Sequence, residues 1–279
     1  MLSWFESRQV EGAYWERWMR EVQRREFENI IRLVPLSRSA QVLELGCGEG
    51  FQLGLLRQRF AHVFAIDPER RPDDARGFVV STAEALPFPD NFFDLVYSRC
   101  VLEHVFSRRQ TVEEAARVLR PGGYMAHIVP APFWKATSVL LNPFAYPLHA
   151  LGKLSSLRRL ARDTSAAHGD KQGRAGNGEK NLPQAGRPQF SRVLQRWLLP
   201  EVHGTYPSHR AEYRAYSRKR WAGIFAHPAL ALIAQVPLLS YGAFGLLRFH
   251  GLAWRERLGR CGLAGSQAFV LRKNDFGFP

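Results

Sequence analysis

The chain has 279 residues and a mass of 31.8 kDa, room for one large domain or a domain with a sizeable elaboration. With 46% hydrophobic and 12% aromatic residues it can bury a real core, which excludes a wholly disordered chain. Formal net charge is +14, unevenly placed: residues 1–150 carry 18 Lys+Arg and 18 Asp+Glu, whereas residues 151–279 carry 21 and 7. That asymmetry points the C-terminal half toward an anionic partner (a membrane surface, a nucleic acid or an acidic substrate) or marks it as a solvated basic surface. Cys47, Cys100 and Cys261 lie far apart with no C-x-x-C pair. This excludes a disulfide framework and a thiolate zinc site, and it suits a reducing compartment. The opening stretch is charged from Glu6 onward and has no apolar h-region, so no secretory signal is expected and a cytoplasmic location is.

In chain order, Trp15, Trp18, Met19, Val22, Ile30, Ile31 and Val34 step by three and four, predicting an amphipathic helix that Pro35 stops. Gln41–Leu45 predicts a strand running into Gly46-Cys47-Gly48-Glu49-Gly50, and 51–60 a helix. His62–Ile66 is a second apolar strand ending at Asp67; 77–80 and 93–97 predict a third and fourth. Residues 111–119 predict a helix closed by Pro121-Gly122-Gly123, and 124–129 a fifth strand. Strands separated by helical patterns imply βαβ crossovers and a mostly parallel α/β sheet. Beyond Pro130 the pattern changes. Residues 136–152 are uncharged, and 163–189 are glycine-rich and polar, the composition of a mobile loop. Residues 209–226 predict a helix, 221–247 form a second uncharged run, and 229–236 and 266–273 predict the last two strands.

The chemistry is concentrated in VLELGCGEG, 42–50. A strand delivering glycines to a helix N-terminus lets a ligand approach the backbone and meet free N–H groups. A dinucleotide fingerprint needs G-x-G-x-x-G, but here the glycines fall at Gly46, Gly48 and Gly50, with Phe51 in the place of the third. Glu44, two residues before the first glycine, suits an ammonium group better than a pyrophosphate. Asp67 stands where a carboxylate accepts ribose hydroxyls across the strand tips. Taken separately, each feature is an ordinary turn or helix cap. Their joint spacing points to a nucleoside cofactor.

With these motifs, residues 41–129 resemble the class I S-adenosylmethionine-dependent methyltransferases, closest to the type 11 and ubiquinone/menaquinone-methyltransferase group. ELGCGEG resembles the family's first motif, AID at Ala65–Asp67 its second, AEALPFPDNFFDLVYSRCVLEHV its stretch around strand four, and LRPGGYM its turn into strand five. The resemblance implies a Rossmann-like sheet with an antiparallel last strand, helices on both faces and C-terminal insertions. It also implies S-adenosyl-L-methionine as cofactor. Glu44, Gly46 and Gly48 would then face its methionine part, Asp67 its ribose, Thr82, Ala83 and Glu84 its adenine, and Ser98 with Arg99 its reacting end, with Cys47 and Gly50 also in the cofactor site. Thr82 departs from the Asp frequent there, so the adenine amine falls to Thr82, backbone or Glu84.

Methyl transfer to oxygen also needs a base. His104 and His203 are the candidates, each with a plain structural reading beside the catalytic one, whereas His127 within strand five suits the core. Strand four lacks a [DN]-P-P-[YF] loop, no Pro-Cys pair offers a nucleophile, and the histidines show no metal-ligand spacing. The implied organisation is a helical segment (1–40), a cofactor-binding core (41–130), an insertion or lid (131–208) and a sheet-completing segment (209–279) with an apolar, basic insertion. Arg158, Arg159, Arg218, Arg220, Arg248, Arg255 and Arg257 flank the uncharged runs, a pattern that fits peripheral contact with an anionic membrane, a lipid-linked substrate, or core plus lid. A spanning helix over 221–247 is the third reading. The function implied is methylation of a small or lipid-linked acceptor on oxygen. RNA or protein methylation and non-catalytic cofactor binding are the alternatives.

Overall fold

The computed structural model describes residues 6–69, 73–141, 202, 206–241 and 251–275, with side chains from residue 17 onward. The chain divides into two compact units, Trp15–Thr137 with Val202–Pro279, and Met1–Tyr14 with Ser138–Glu201. The described residues of the second unit, 6–14 and 138–141, are helical. The first unit contains the sheet. The expected loop at 163–189 and nearly all of the uncharged run 136–152 lie outside the described residues.

Seven strands lie in the order β3-β2-β1-β4-β5-β7-β6. They are β1 Gln41–Leu45, β2 His62–Asp67, β3 Phe78–Val80, β4 Phe93–Arg99, β5 Leu119–Pro130, β6 Leu230–Pro237 and β7 Ser266–Lys273. The first five are mutually parallel, and β7 runs antiparallel to both β5 and β6. Two reversals return β6 to the common direction. Pro237 therefore ends on the same edge as Leu45, Asp67, Arg99 and Pro130, and the β6–β7 connection starts there.

The helices are α1 Glu6–Ile31, α2 Phe51–Arg59, α3 Arg108–Val118, α4 at 132–141, α5 His209–Ala215, α6 Arg218–Phe225 and α7 Leu252–Leu258. They cover both faces, which is why β1, β4 and β7 are buried almost continuously rather than at alternate residues. One face buries Leu43, Val96 and Phe269 with Val112 and Ala115 of α3 and Trp221 and Phe225 of α6. The other buries Val42, Leu95, Ala126 and Val270 with Phe27 and Ile30 of α1 and Leu53 and Leu56 of α2.

Some boundaries differ from the sequence pattern, each for a local reason. Helix α3 begins at Arg108 because Ser107 caps it, its hydroxyl accepting from the Gln110 N–H at 3.3 Å. Pro121-Gly122-Gly123 does not separate helix from strand but lies inside β5 as a bulge: Phe93 pairs with Leu119, yet Leu95 pairs with Tyr124. A side chain at Gly123 would stand 2.9 Å from the Arg120 carbonyl and 3.2 Å from that of Asp94, so the bulge closes only on glycine. The helix expected over 209–226 is two, broken at Tyr216 and Ser217, where the Tyr216 carbonyl accepts from the Gln267 amide of β7 at 2.7 Å. Likewise the uncharged run 221–247 is not one apolar helix, since 221–225 belong to α6 and 230–237 to an edge strand. Among the described residues no helix is long and apolar enough to cross a membrane.

Behind β5, Lys135 and Glu212 form a buried ion pair at 2.5 Å, and the Tyr216 hydroxyl donates to Glu212 Oε1 at 3.1 Å. Removing one partner of such a pair strands a charge, whereas replacing both with apolar groups is far milder. Lys135→Met should therefore lower stability by about 3 kcal/mol in urea unfolding, and Lys135→Met with Glu212→Leu should recover most of that loss.

Candidate active site

The centre of the carboxyl edge is the turn leaving β1. Gly46 and Cys47 both donate their N–H to the Ile66 carbonyl, at 2.8 and 3.1 Å, and Gly50 donates to the Cys47 carbonyl at 2.9 Å. Gly46, Gly48 and Gly50 take φ of 66°, 52° and 87°, the left-handed region that side chains disfavour. Gly48 donates to Asp67 Oδ2 at 2.9 Å, and Asp67 Oδ1 accepts from the Glu69 N–H at 3.0 Å. The turn and the end of β2 are thus one hydrogen-bonded unit. Its two sides differ. A β-carbon on Gly46 would stand 2.6 Å from Val101 Cγ2, whereas one on Gly48 would have nothing within 4 Å. Backbone at Gly48 therefore borders open space.

Glu44, in β1 two residues before this turn, is 2% exposed, and its Oε2 has no hydrogen-bond partner among the described residues. Burial, reinforced by the charge of Asp67 and opposed by Arg57, pushes its carboxyl up to about 8. A buried carboxylate oxygen left unsatisfied is costly, and a cationic or N–H donor from a ligand would relieve it. Cys47 is buried beside it; burial first, then Glu44 and Asp67, push its thiol up to about 12, so it is no nucleophile.

At the end of β4, Ser98 and Arg99 point to opposite faces. Ser98 Oγ lies 2.6 Å from Nδ1 of buried His127, whose ring stacks on Phe225; burial lowers that imidazole to about 3, keeping it neutral. Arg99 Nε and Nη2 both donate to Glu26 Oε2, at 3.0 and 2.9 Å, and the Ser266 hydroxyl donates to Glu26 Oε1. The guanidinium expected at the reacting end is held by α1. Cys100 follows with φ of 55°, its buried thiol pushed up to about 12.

The remaining expected residues are spread along the same edge. Thr82 is exposed and Ala83 buried. Glu84 Oε1 accepts from the Phe106 and Ser107 N–H groups at 2.8 and 3.4 Å, securing the loop before α3. His104 is exposed on the turn after β4, and His203 lies outside the described residues. Arg218 and Arg220 are exposed, but Arg255 is buried: Nη1 donates to the Ser240 carbonyl at 2.9 Å and the guanidinium sits 4.6 Å from the Trp18 ring. Arg255 is therefore structural rather than part of a basic surface. Among the described residues no group of three His, Cys, Asp or Glu could hold a metal ion. The sequence pattern does not single out Glu26 or Glu103. Glu103, next to His104, is 2% exposed with Oε2 unpartnered among the described residues, and burial, opposed by a backbone hydrogen bond, Arg99, the Cys100 thiol and Arg108, pushes it up to about 7. Only the glutamates' burial distinguishes them, and periodicity carries no sign of it.

Residues 43–127 match the family model described as a methyltransferase domain. Over 113 residues the chain is 34% identical to a malonyl-[acyl-carrier protein] O-methyltransferase of Enterobacter lignolyticus, covering 38% of this chain and 45% of that protein. Over 126 residues the chain is also 34% identical to a protein of Mycolicibacterium smegmatis described as a probable S-adenosylmethionine-dependent methyltransferase, covering 40% of this chain and 48% of that protein. Over 206 residues it is 25% identical to the 27-O-demethylrifamycin SV methyltransferase of Amycolatopsis mediterranei, covering 66% and 73%. It thus spans about half the length of the first of these relatives. An S-adenosylmethionine-dependent methyltransferase from Mesorhizobium loti shares the fold at a TM-score of 0.51 and 16% identity, over 89% of this chain and 97% of that one.

The difference between the two sides of the turn is directly testable. Gly46→Ala, strained and driven into Val101, should cost about 3 kcal/mol in thermal or urea unfolding, and Val101→Ala should restore part of it. Gly48→Ala, strained but unobstructed, should cost about 1 kcal/mol.

Proposed function

We propose that the protein transfers a methyl group from S-adenosylmethionine to an oxygen atom of a small or lipid-linked acceptor. The observation that carries this reading is Glu44, a buried carboxylate with an oxygen unsatisfied among the described residues, two residues before a left-handed glycine turn that is hydrogen-bonded to Asp67. These residues fit the donor. Glu44 would hold its ammonium, the backbone of Gly46, Cys47, Gly48 and Gly50 its amino-acid part, and Asp67 its ribose hydroxyls. Thr82, Ala83 and Glu84 would line the adenine, with Glu84 limited by its hold on the 106–107 backbone. The donor supplies a methyl group already activated on a sulfonium, so the chain's task is positioning and exclusion of water. Ser98 and Arg99 serve that task indirectly, Arg99 by anchoring α1 beside the strand ends.

Oxygen is favoured because two of the relatives named above carry O-methylation in their descriptions or modify an O-demethylated compound. A lipid-linked or otherwise anionic acceptor is supported by the basic C-terminal half, in which Arg218, Lys219 and Arg220 are exposed. RNA or protein acceptors would draw on the same charge, without any nucleic-acid-binding module among the motifs.

Calorimetry with S-adenosylmethionine tests the donor site. Asp67→Ala and Glu44→Gln should each weaken binding by about tenfold to about a hundredfold, the worth of a charge-assisted hydrogen bond; unchanged affinity in both would remove the assignment. Because an ammonium favours the ionised form of a carboxyl raised to about 8, binding at neutral pH should release a proton, seen as a dependence of heat on the buffer's ionisation enthalpy. The same shift sets the stability of the donor-free protein. A group raised in the folded state contributes stability below its unfolded value and loses it as pH rises through its folded one. Glu44→Gln should accordingly raise the Tm of donor-free protein more at about pH 9 than at about pH 5.

A further inference from the structure

The turn that follows β4, residues 101–106, presents a second buried carboxylate to the strand-tip edge. Val101 packs against the glycine turn, and Glu103 stands two residues further on with Oε2 unpartnered among the described residues. Arg108 fixes this turn from behind, Nε donating to the Leu102 carbonyl at 2.9 Å and Nη2 to that of Glu103 at 3.3 Å. The same guanidinium lies 4.8 Å from the Tyr206 ring, and Tyr206 meets Tyr216 edge to face at 5.6 Å. The hydroxyl of Tyr216 is committed to Glu212, and Glu212 to Lys135. Glu103 thus lies within electrostatic reach of the tyrosine pair, in a patch where, among the described residues, the Tyr206 hydroxyl and His209 Nδ1 are also without a hydrogen-bond partner.

We propose that Glu103 is the base that takes the proton of the acceptor's hydroxyl, within reach of the pair Tyr206 and Tyr216. The proposal rests on the methyl-transfer reading above. As the acceptor oxygen bonds to the methyl carbon, the carbon–sulfur bond breaks with its electron pair remaining on sulfur. The O–H proton passes to Glu103 Oε2, and the O–H electron pair stays on the acceptor oxygen. A base poised near the working pH serves such a step best. Burial brings Glu103 to about 7, with Arg99 of β4, the Cys100 thiol that follows it and hydrogen-bonds the carboxyl, Arg108 of α3, and Tyr206 and Tyr216 as the titratable groups around it. This arrangement selects acceptors that have a proton to lose, namely alcohols, phenols or enols. A free carboxylate has none and would be repelled by the ionised glutamate.

The experiment compares the native chain, Glu103→Gln and Glu103→Asp, using methyl-labelled S-adenosylmethionine and a bacterial cell extract as the acceptor source, with donor affinity measured separately by calorimetry. Glu103→Gln should bind the donor within about twofold of native, yet label acceptors about a hundredfold more slowly, the usual worth of a general base. Native labelling should rise with pH through about 7, Glu103→Asp should keep a weaker version of that rise, and Glu103→Gln should lose it. Native-like labelling by Glu103→Gln, or survival of its pH rise, would overturn the proposal. Loss of donor binding in both variants would overturn it too, by assigning Glu103 to the cofactor or the fold. A native chain that binds donor but labels nothing would instead refute methyl transfer, and this proposal with it. A native chain that does not bind the donor would refute the cofactor assignment itself.

Discussion

One backbone carbonyl organises the site. Ile66 accepts the N–H groups of both Gly46 and Cys47, which forces the chain leaving β1 to fold back over the end of β2 rather than continue into α2. That reversal requires φ values available without penalty only to glycine, and it leaves the next N–H, that of Gly48, aimed at Asp67. The spacing of glycines, the acidic residue ending β2 and the buried acid within β1 are consequences of a single geometric demand. The demand is that two adjacent parallel strands finish at one hydrogen-bonded turn.

Much of this is legible in the sequence because it is local. The spans of β1 and β7 are set by apolar runs bounded by glycine, serine or charge, and the structure places them where those runs lie. The glycine turn and Asp67 carry a spacing that few other folds need. What the sequence does not reveal depends on contacts between distant segments. The bulge at 121–123 follows from the carbonyls of Arg120 and Asp94, and the break at Tyr216 from an amide 51 residues away. Arg99 suits a reacting end on its position in β4 alone, and only the folded chain reveals Glu26, 73 residues earlier, as its partner. Histidine attracts attention at 104 because its ordinary titration lies near neutrality. The neighbouring glutamate reaches the same range through burial, which no one-dimensional pattern records.

The carboxyl edge illustrates how a protein tolerates many buried charges in a small volume. Two are neutralised within the chain, Arg99 by Glu26 with Ser266 and Lys135 by Glu212 with Tyr216, while Arg255 is held by a carbonyl and an indole. These pairs cost desolvation and return little net stability, but they fix positions sharply. Against that background Glu44 and Glu103 differ in kind. Each retains a buried oxygen with no partner among the described residues, Glu44 two residues before the glycine turn and Glu103 on the loop that packs against it.

The Arg99–Glu26 contact also separates homology from foldability. The stretch recognisable by family begins at residue 43, yet Glu26 lies well upstream of it, as do Phe27 and Ile30, which cover one face of the sheet. An excised catalytic module cut at the recognisable boundary would carry a guanidinium stripped of its counter-charge and an uncovered apolar sheet. The evolutionary unit is therefore shorter than the physical one, and the helix that looks like an appendage is part of the minimum autonomous fold.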